Sequence, residues 1–292
     1  LAEAATAAED WPRAAELWYG LHRSETPKTE RTYVQAARAL HMTGDTEGAC
    51  ALIRRGLMDF PNDPQLYELH AVILEACGFH RLAESTYLRL VEIVPDHLAG
   101  LIGLGRVRMH LGDERSAAAP LRRAALLAPQ RVEPCRHLAR VHQVCGDPQG
   151  AFDWYTRAIE LGADDPQFLL DAAVLAADEQ VLVVQPDARE QALVWIERIL
   201  RVDPQVTLAH FLKGAHLQTL GRTDEALVSY LRAAETDPGC LPALARLARL
   251  YALEGDVTRT REFVERALQL EEDPTRRLAL AELLQGQPPD DY

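Results

Sequence analysis

Alanine returns along this chain at a fixed stride: Ala49, Ala83, Ala117 and Ala151 stand 34 residues apart, and after one longer step Ala192 and Ala226 resume the spacing. A unit of that length cannot bury its own apolar surface, so several units must stack and share a continuous core. The 292 residues therefore need no large globule, because a stack grows in one direction only. We expect one elongated domain over 1–292. A stack also presents a long continuous surface rather than a single deep pocket, which favours binding over catalysis.

Ending each unit just after its proline places repeats at 30–63, 64–97, 98–131, 132–165, 166–206, 207–240 and 241–274, preceded by a partial unit over 1–29. Each unit reads as two helices. Gly44, Gly78, Gly112, Gly146, Gly221 and Gly255 fall where the first should stop, the usual place for a glycine after a helix C-terminus. Asp45, Asp113, Asp147 and Asp256 follow at once and suit the N-cap of the second helix. Pro148 suits its first position, where the missing N–H costs nothing. Pro61, Pro95, Pro129, Pro204 and Pro238 then close the second helix, since proline disfavours helix at the residue before it.

Small residues recur where two helices must approach: Ala37, Ala71, Gly105, Ala139, Ala173, Gly214 and Ala248 are eighth in their units. Twentieth is alanine throughout, until Thr260 in the last unit. Large residues complement them, with Tyr33 and Tyr67 fourth and Tyr87, Tyr155 and Tyr230 twenty-fourth, as interdigitating helices require. This pattern resembles the tetratricopeptide repeat family over residues 30–274, with a further half unit around Ala14 and Trp18. The resemblance implies an all-α fold, a right-handed solenoid of antiparallel helix pairs with a concave groove, and no catalytic residues of its own.

Departures from the pattern carry expectations too. Pro120 inside a second helix predicts a kink or a late start. Lys213 stands where leucine is commoner, and its stem can cover apolar surface while the ammonium reaches water. The step from Ala151 to Ala192 holds seven surplus residues around Val181, Leu182, Val183 and Val184. Either the first helix runs longer and packs these side chains on its neighbour, or they protrude as a contact patch for a partner or a second copy. Asp187 and Glu190 read as a capping box for the helix that follows. Residues 275–285 read as a solvating end helix and 286–292 as a disordered tail, while the start at Leu1 rather than Met points to a longer parent chain.

The formal net charge is −13, which argues against nucleic acid as a partner. No stretch approaches the roughly 18 consecutive apolar residues of a membrane span and no signal peptide opens the chain, so we expect a cytoplasmic protein without membrane insertion. Five cysteines without a Cys-x-x-Cys pair fit reduced thiols. The densest set of ligand-type residues is Cys135, His137, His142 and Cys145 on one helix. Cys135 and His142 are about 10 Å apart along that helix at 1.5 Å per residue, too far to share an ion. We expect core packing there, and neither a metal nor a cofactor.

One face of each first helix remains after pairing: positions two, five, nine, twelve and thirteen. It carries Arg31, Arg38, Arg106, Arg136, Arg140 and Arg249 against Glu68, Glu75, Glu133 and Asp178. His41 and His110 add charge on mild acidification. Further on it turns apolar at Leu170, Val174, Leu208 and Phe211. By resemblance to the family this face lines the groove. We therefore expect a non-catalytic scaffold holding an acidic peptide with a hydrophobic anchor, with Arg38, Arg106, Arg136, Arg140 and Arg249 as polar contacts and Leu170, Val174 and Phe211 as apolar ones. The opposing possibility is that the arginines pair with Glu68, Glu75 and Glu133 within the stack. Family members that grip chaperone tails place lysine fifth and asparagine ninth. Arg38, Val72, Arg106 and Arg140 stand ninth here, which sets that mode aside. Two other functions stay open: the substrate-recognition region of a larger enzyme, such as a glycosyltransferase or sulfotransferase, and a self-assembling scaffold.

Overall fold

A computed structural model of the protein describes residues 1–23 and 29–285. Among them are 18 α-helices and no strand. A partial unit, α1 (Ala2–Ala7) and α2 (Trp11–Arg23), precedes the pairs α3 (Glu30–Met42) with α4 (Thr46–Asp59), α5 (Pro64–Ala76) with α6 (His80–Ile93), and α7 (Leu98–His110) with α8 (Glu114–Leu127), after which α9 (Val132–Val144) and α10 (Pro148–Glu160) follow in sequence. The long unit holds three helices, α11 (Pro166–Leu175), α12 (Glu179–Val184) and α13 (Ala188–Val202). Two further pairs follow, α14 (Thr207–Thr219) with α15 (Thr223–Thr236) and α16 (Leu241–Glu254) with α17 (Val257–Leu270). Then come α18 (Pro274–Glu282) and a 3-10 turn over Leu283–Gln285, where an end helix was expected. The tail, 286–292, lies outside the described residues, as do residues 24–28. The chain divides into two compact units, residues 1–147 and 148–292.

The turns within the pairs are built alike. All six glycines expected to stop a first helix have φ between 73° and 90°, a conformation that costs a Cβ-bearing residue but not glycine. At Gly112 the glycine N–H reaches Met109 O and the next N–H, of Asp113, reaches back to Arg108 O at 2.9 Å, the paired bonding of a Schellman motif. Among the aspartates expected as caps, Asp45 accepts from the backbone N–H of Gly48, Asp113 from Ser116 and Asp256 from Arg259. The Asp147 carboxylate also accepts from His142 Nδ1 at 2.7 Å.

The core follows the small-against-large pattern. Position eight is buried in every unit, and so is position twenty, where Thr260 satisfies its hydroxyl on Asp256 O at 2.7 Å. A Cβ on Gly214 would lie 2.6 Å from the Tyr230 ring, so only glycine lets the tyrosine pack there. The Tyr230 hydroxyl donates to Gln218 Oε1 at 2.9 Å, and burial pushes its pKa up to about 12.

Three expectations need correction. Pro120 does not delay its helix: α8 starts at Glu114 under the Asp113 cap and runs through the proline. The Ser116 carbonyl, which Pro120 leaves without an N–H four residues on, accepts from Arg108 Nη1 at 2.9 Å. The first helix of the long unit is not longer but shorter, since α11 ends at Leu175 and the surplus forms a separate helix. That early end leaves the Ala173 carbonyl without its helical partner, as the Ala177 N–H turns to Val174 O. His216, on α14, donates from Nε2 to Ala173 O at 2.9 Å in a fully buried position. Lastly, Asp187 makes no cap. Its φ and ψ of −87° and 5° are not the extended values an N-cap needs, and its carboxylate accepts from Gln191 instead.

Candidate binding face

Within residues 1–147, α3 packs on α5, α5 on α7 and α7 on α9, while α4, α6 and α8 meet mainly the first helices on either side. The first helices thus form the closer-spaced row. Position nine, one per helix along that row, carries Arg38, Val72, Arg106 and Arg140 in order.

Arg106 is engaged within the stack. Its Nη2 donates to Glu75 Oε2 at 2.8 Å while Nε donates to Oε1, and Nη1 reaches Glu133 at 3.4 Å. The Tyr87 hydroxyl donates to the same Glu75 carboxylate at 3.0 Å. Glu75 keeps only 12% of its side chain exposed. Burial alone would push its carboxyl up, but the Arg106 guanidinium and the Tyr87 hydroxyl outweigh it and hold it below the usual carboxylate range. Burial beside that carboxylate drives the Tyr87 pKa up. This cluster ties α5, α6, α7 and α9 together, as the opposing sequence reading allowed.

The pairing leaves a positive face. Glu75 and Glu133 are engaged, and Glu68 lies 3.7 Å from His97. Arg31 pairs with Glu3 at 2.6 Å. Arg38 and Arg140 are exposed and make no ion pair among the described residues. Arg136 is half-buried one turn before Arg140, and Val144, one turn after it, is 66% exposed. His137 lies half-buried among them. Burial pushes its imidazole pKa down, with Arg106, Arg140 and Arg136 acting in the same sense against Glu133. His110 stacks on His80 with ring centroids 4.9 Å apart.

In residues 148–292 the apolar expectation holds unevenly. Leu170 is 5% exposed, part of the core and not an anchor. Val174 is 50% exposed. Phe211 is half-buried against Tyr230, with centroids 5.8 Å apart, and Arg249 is half-buried. Asp178 leaves the first-helix face and caps α12 through Gln180 N. Val181 is fully buried and Leu182 half-buried, whereas Val183 is 83% and Val184 62% exposed. The inserted segment is thus half core and half protrusion, and the sequence reading had offered these as alternatives.

Cys135, His137, His142 and Cys145 do not converge. His142 is held between Asp147 at Nδ1 and Arg122, which approaches Nε2 at 3.3 Å. Cys135 is buried, and Cys145 is exposed at the end of α9. Among the described residues no three His, Cys, Asp or Glu side chains are grouped to hold a metal ion, and no helix is long and apolar enough to cross a membrane.

No protein-family model matches the chain. The chain is 25% identical to Protein O-mannosyl-transferase TMTC1 of Homo sapiens over 208 residues, 69% of this chain and 22% of that protein. It therefore spans about a fifth of the length of that relative. Among solved structures, the C-terminal part of a TPR repeat-containing protein from Cytophaga hutchinsonii superimposes with a TM-score of 0.62 at 15% identity, covering 85% of this chain and 98% of that one. YrrB, a TPR protein with an unusual peptide-binding site, gives 0.57 at 19% identity, covering 67% and 97%. At these identities the likeness is one of fold.

Proposed function

From a tetratricopeptide-repeat solenoid as premise, we propose that this chain is a scaffold whose first-helix row in residues 1–147 holds an acidic, partly apolar segment of a protein. The observation that carries the reading is Arg38 and Arg140 standing exposed without ion pairs, while Glu75 and Glu133 on the row are already engaged by Arg106. Val72, 42% exposed between Arg38 and Arg106, and Val144 supply apolar surface beside them. YrrB, a TPR protein with an unusual peptide-binding site, supports it as a case of the same fold holding a peptide. Val174 and Phe211 are proposed as separate apolar contacts in residues 148–292. Arg106 and Leu170 are withdrawn as contacts.

The test is fluorescence anisotropy with fluorescein-labelled peptides that alternate Asp or Glu with Val or Leu. Arg38→Glu with Arg140→Glu should weaken binding at least tenfold, because reversed charges repel the acidic side chains they had steered. Equal binding by the double variant would end the reading.

A second reading rests on the likeness to part of an O-mannosyl-transferase: the chain as the recognition region of a larger enzyme whose catalytic residues lie outside these 292. The intact mass of the natural protein decides it. A mass close to 32.5 kDa leaves no room for a catalytic domain.

A further inference from the structure

We infer that the acidic, valine-bearing segment fitting the arginine face is carried by the chain itself, on α12 of a second copy, so that the protein associates head to tail. This rests on the reading of the face proposed above.

Charge is divided unequally along the chain. Residues 1–147 hold 17 basic and 19 acidic side chains and residues 148–292 hold 14 and 25, for net charges of −2 and −11. Between Arg157 and Arg189 stand seven Asp and Glu and no Lys or Arg. The inserted helix lies within that stretch. On its outer side Val183 and Val184 are exposed, with Glu179 one turn before Val183, Asp178 at the N-cap and Asp187 just beyond. Asp153, on α10, comes alongside through Gln185 Nε2 at 2.7 Å. None of these four carboxylates makes an ion pair among the described residues. Asp153, Asp178 and Asp187 accept only from side-chain amides or backbone N–H groups. In residues 1–147, by contrast, Glu75, Glu84, Asp96 and Glu133 are each held by an arginine.

Two exposed valines beside uncompensated carboxylates are the chemistry that Arg140 and Val144, both exposed, call for. The two stand on one stripe of α9, four residues apart. Apolar side chains meet at the centre and opposite charges at the rim, the arrangement of a specific interface. The two surfaces are different patches, so the contact is heterologous. Each copy keeps one patch open, and association continues until a ring closes or a filament forms.

The test uses the full chain in sedimentation velocity, with two variants whose fold is checked by circular dichroism. Arg140→Glu with Val144→Ser blocks the face, and Glu179→Lys with Val183→Ser blocks the knob. The wild type should show a mass that rises with concentration above 32.5 kDa, and each variant alone should stay monomeric. An equimolar mixture should form a species of two chains and stop there, because only one competent face and one competent knob remain. A monomeric wild type, variants that associate like the wild type, or a mixture that stays monomeric would overturn the proposal. A fluorescein-labelled Asp-Glu-Val-Val-Asp peptide separates the two readings. If the wild type is monomeric yet binds this probe through Arg140, the arginine face stands and only self-association falls. In that case a basic segment of another protein is the remaining occupant for α12.

Discussion

Glu75 shows how single side chains hold neighbouring repeats together. Truncating Arg106 to alanine leaves a mostly buried carboxylate with the Tyr87 hydroxyl alone, which costs roughly 1–3 kcal/mol once the partial exposure of Arg106 is allowed for. Urea unfolding reads it. Because the folded pKa of Glu75 is lowered, the stability it adds is present above the unfolded carboxylate value and is lost as pH falls through the folded one. The gap between wild type and Glu75→Gln should therefore narrow in that acid range. Arg108 and Pro120 form a second residue-level device. Arg108→Ala strands the Ser116 carbonyl only while proline occupies position 120, so the loss should shrink when Pro120→Ala restores the N–H. A double-mutant cycle should return a coupling of about 0.5–1.5 kcal/mol. His216, whose pKa burial lowers to about 4, stabilises the fold as a neutral imidazole. That contribution is complete above the unfolded histidine value and fades as pH drops toward 4. His216→Phe should remove both the hydrogen bond and this pH dependence, as unfolding at pH 7 and pH 4.5 would reveal.

At the level of helices, α12 splits into a structural side and an outer side. Val181→Ala should destabilise by about 1–2 kcal/mol through a buried void. Val183→Ser with Val184→Ser should change stability by less than about 0.5 kcal/mol each, measured as shifts in urea midpoint. Helix boundaries were readable because each is written locally: glycine after the first helix, aspartate before the second, proline after it. The long unit resisted reading for a physical reason. A continuous apolar run looks alike whether it extends a helix or starts a new one, and the outcome turned on whether Asp178 served α11 or capped α12. The arginine face was legible in composition but not in partnership. Position nine of α7 and of α9 carries the same residue type, and only the neighbouring helices decide that Arg106 is consumed by Glu75 while Arg140 is not. The fate of the Ser116 carbonyl and the role of His216 left no local signal, since each depends on a contact with another helix.

Over the whole molecule, stacking makes stability a sum of each unit and its neighbours, so a compact half can stand by itself. Fragment 1–147 holds the Tyr87–Glu75–Arg106–Glu133 cluster and every arginine of the α3–α9 face. It should keep its helical circular dichroism and the affinity of the full chain for an acidic probe, which anisotropy on the fragment measures. That affinity should fall as salt rises from about 0.05 to 0.5 M, as screening shortens the reach of Arg38 and Arg140.

The seven residues added in the long unit interrupt the stride without spoiling it, because the 34-residue spacing resumes at Ala226 as though nothing had intervened. The linker between two helices of a pair is thus a place where this architecture accepts cargo. The Gly–Asp bends at Gly44, Gly112 and Gly255 have the same plan, so foreign segments spliced there should leave the rest of the scaffold in frame. In that sense α12 is an accessory already mounted at one of several docks between paired helices.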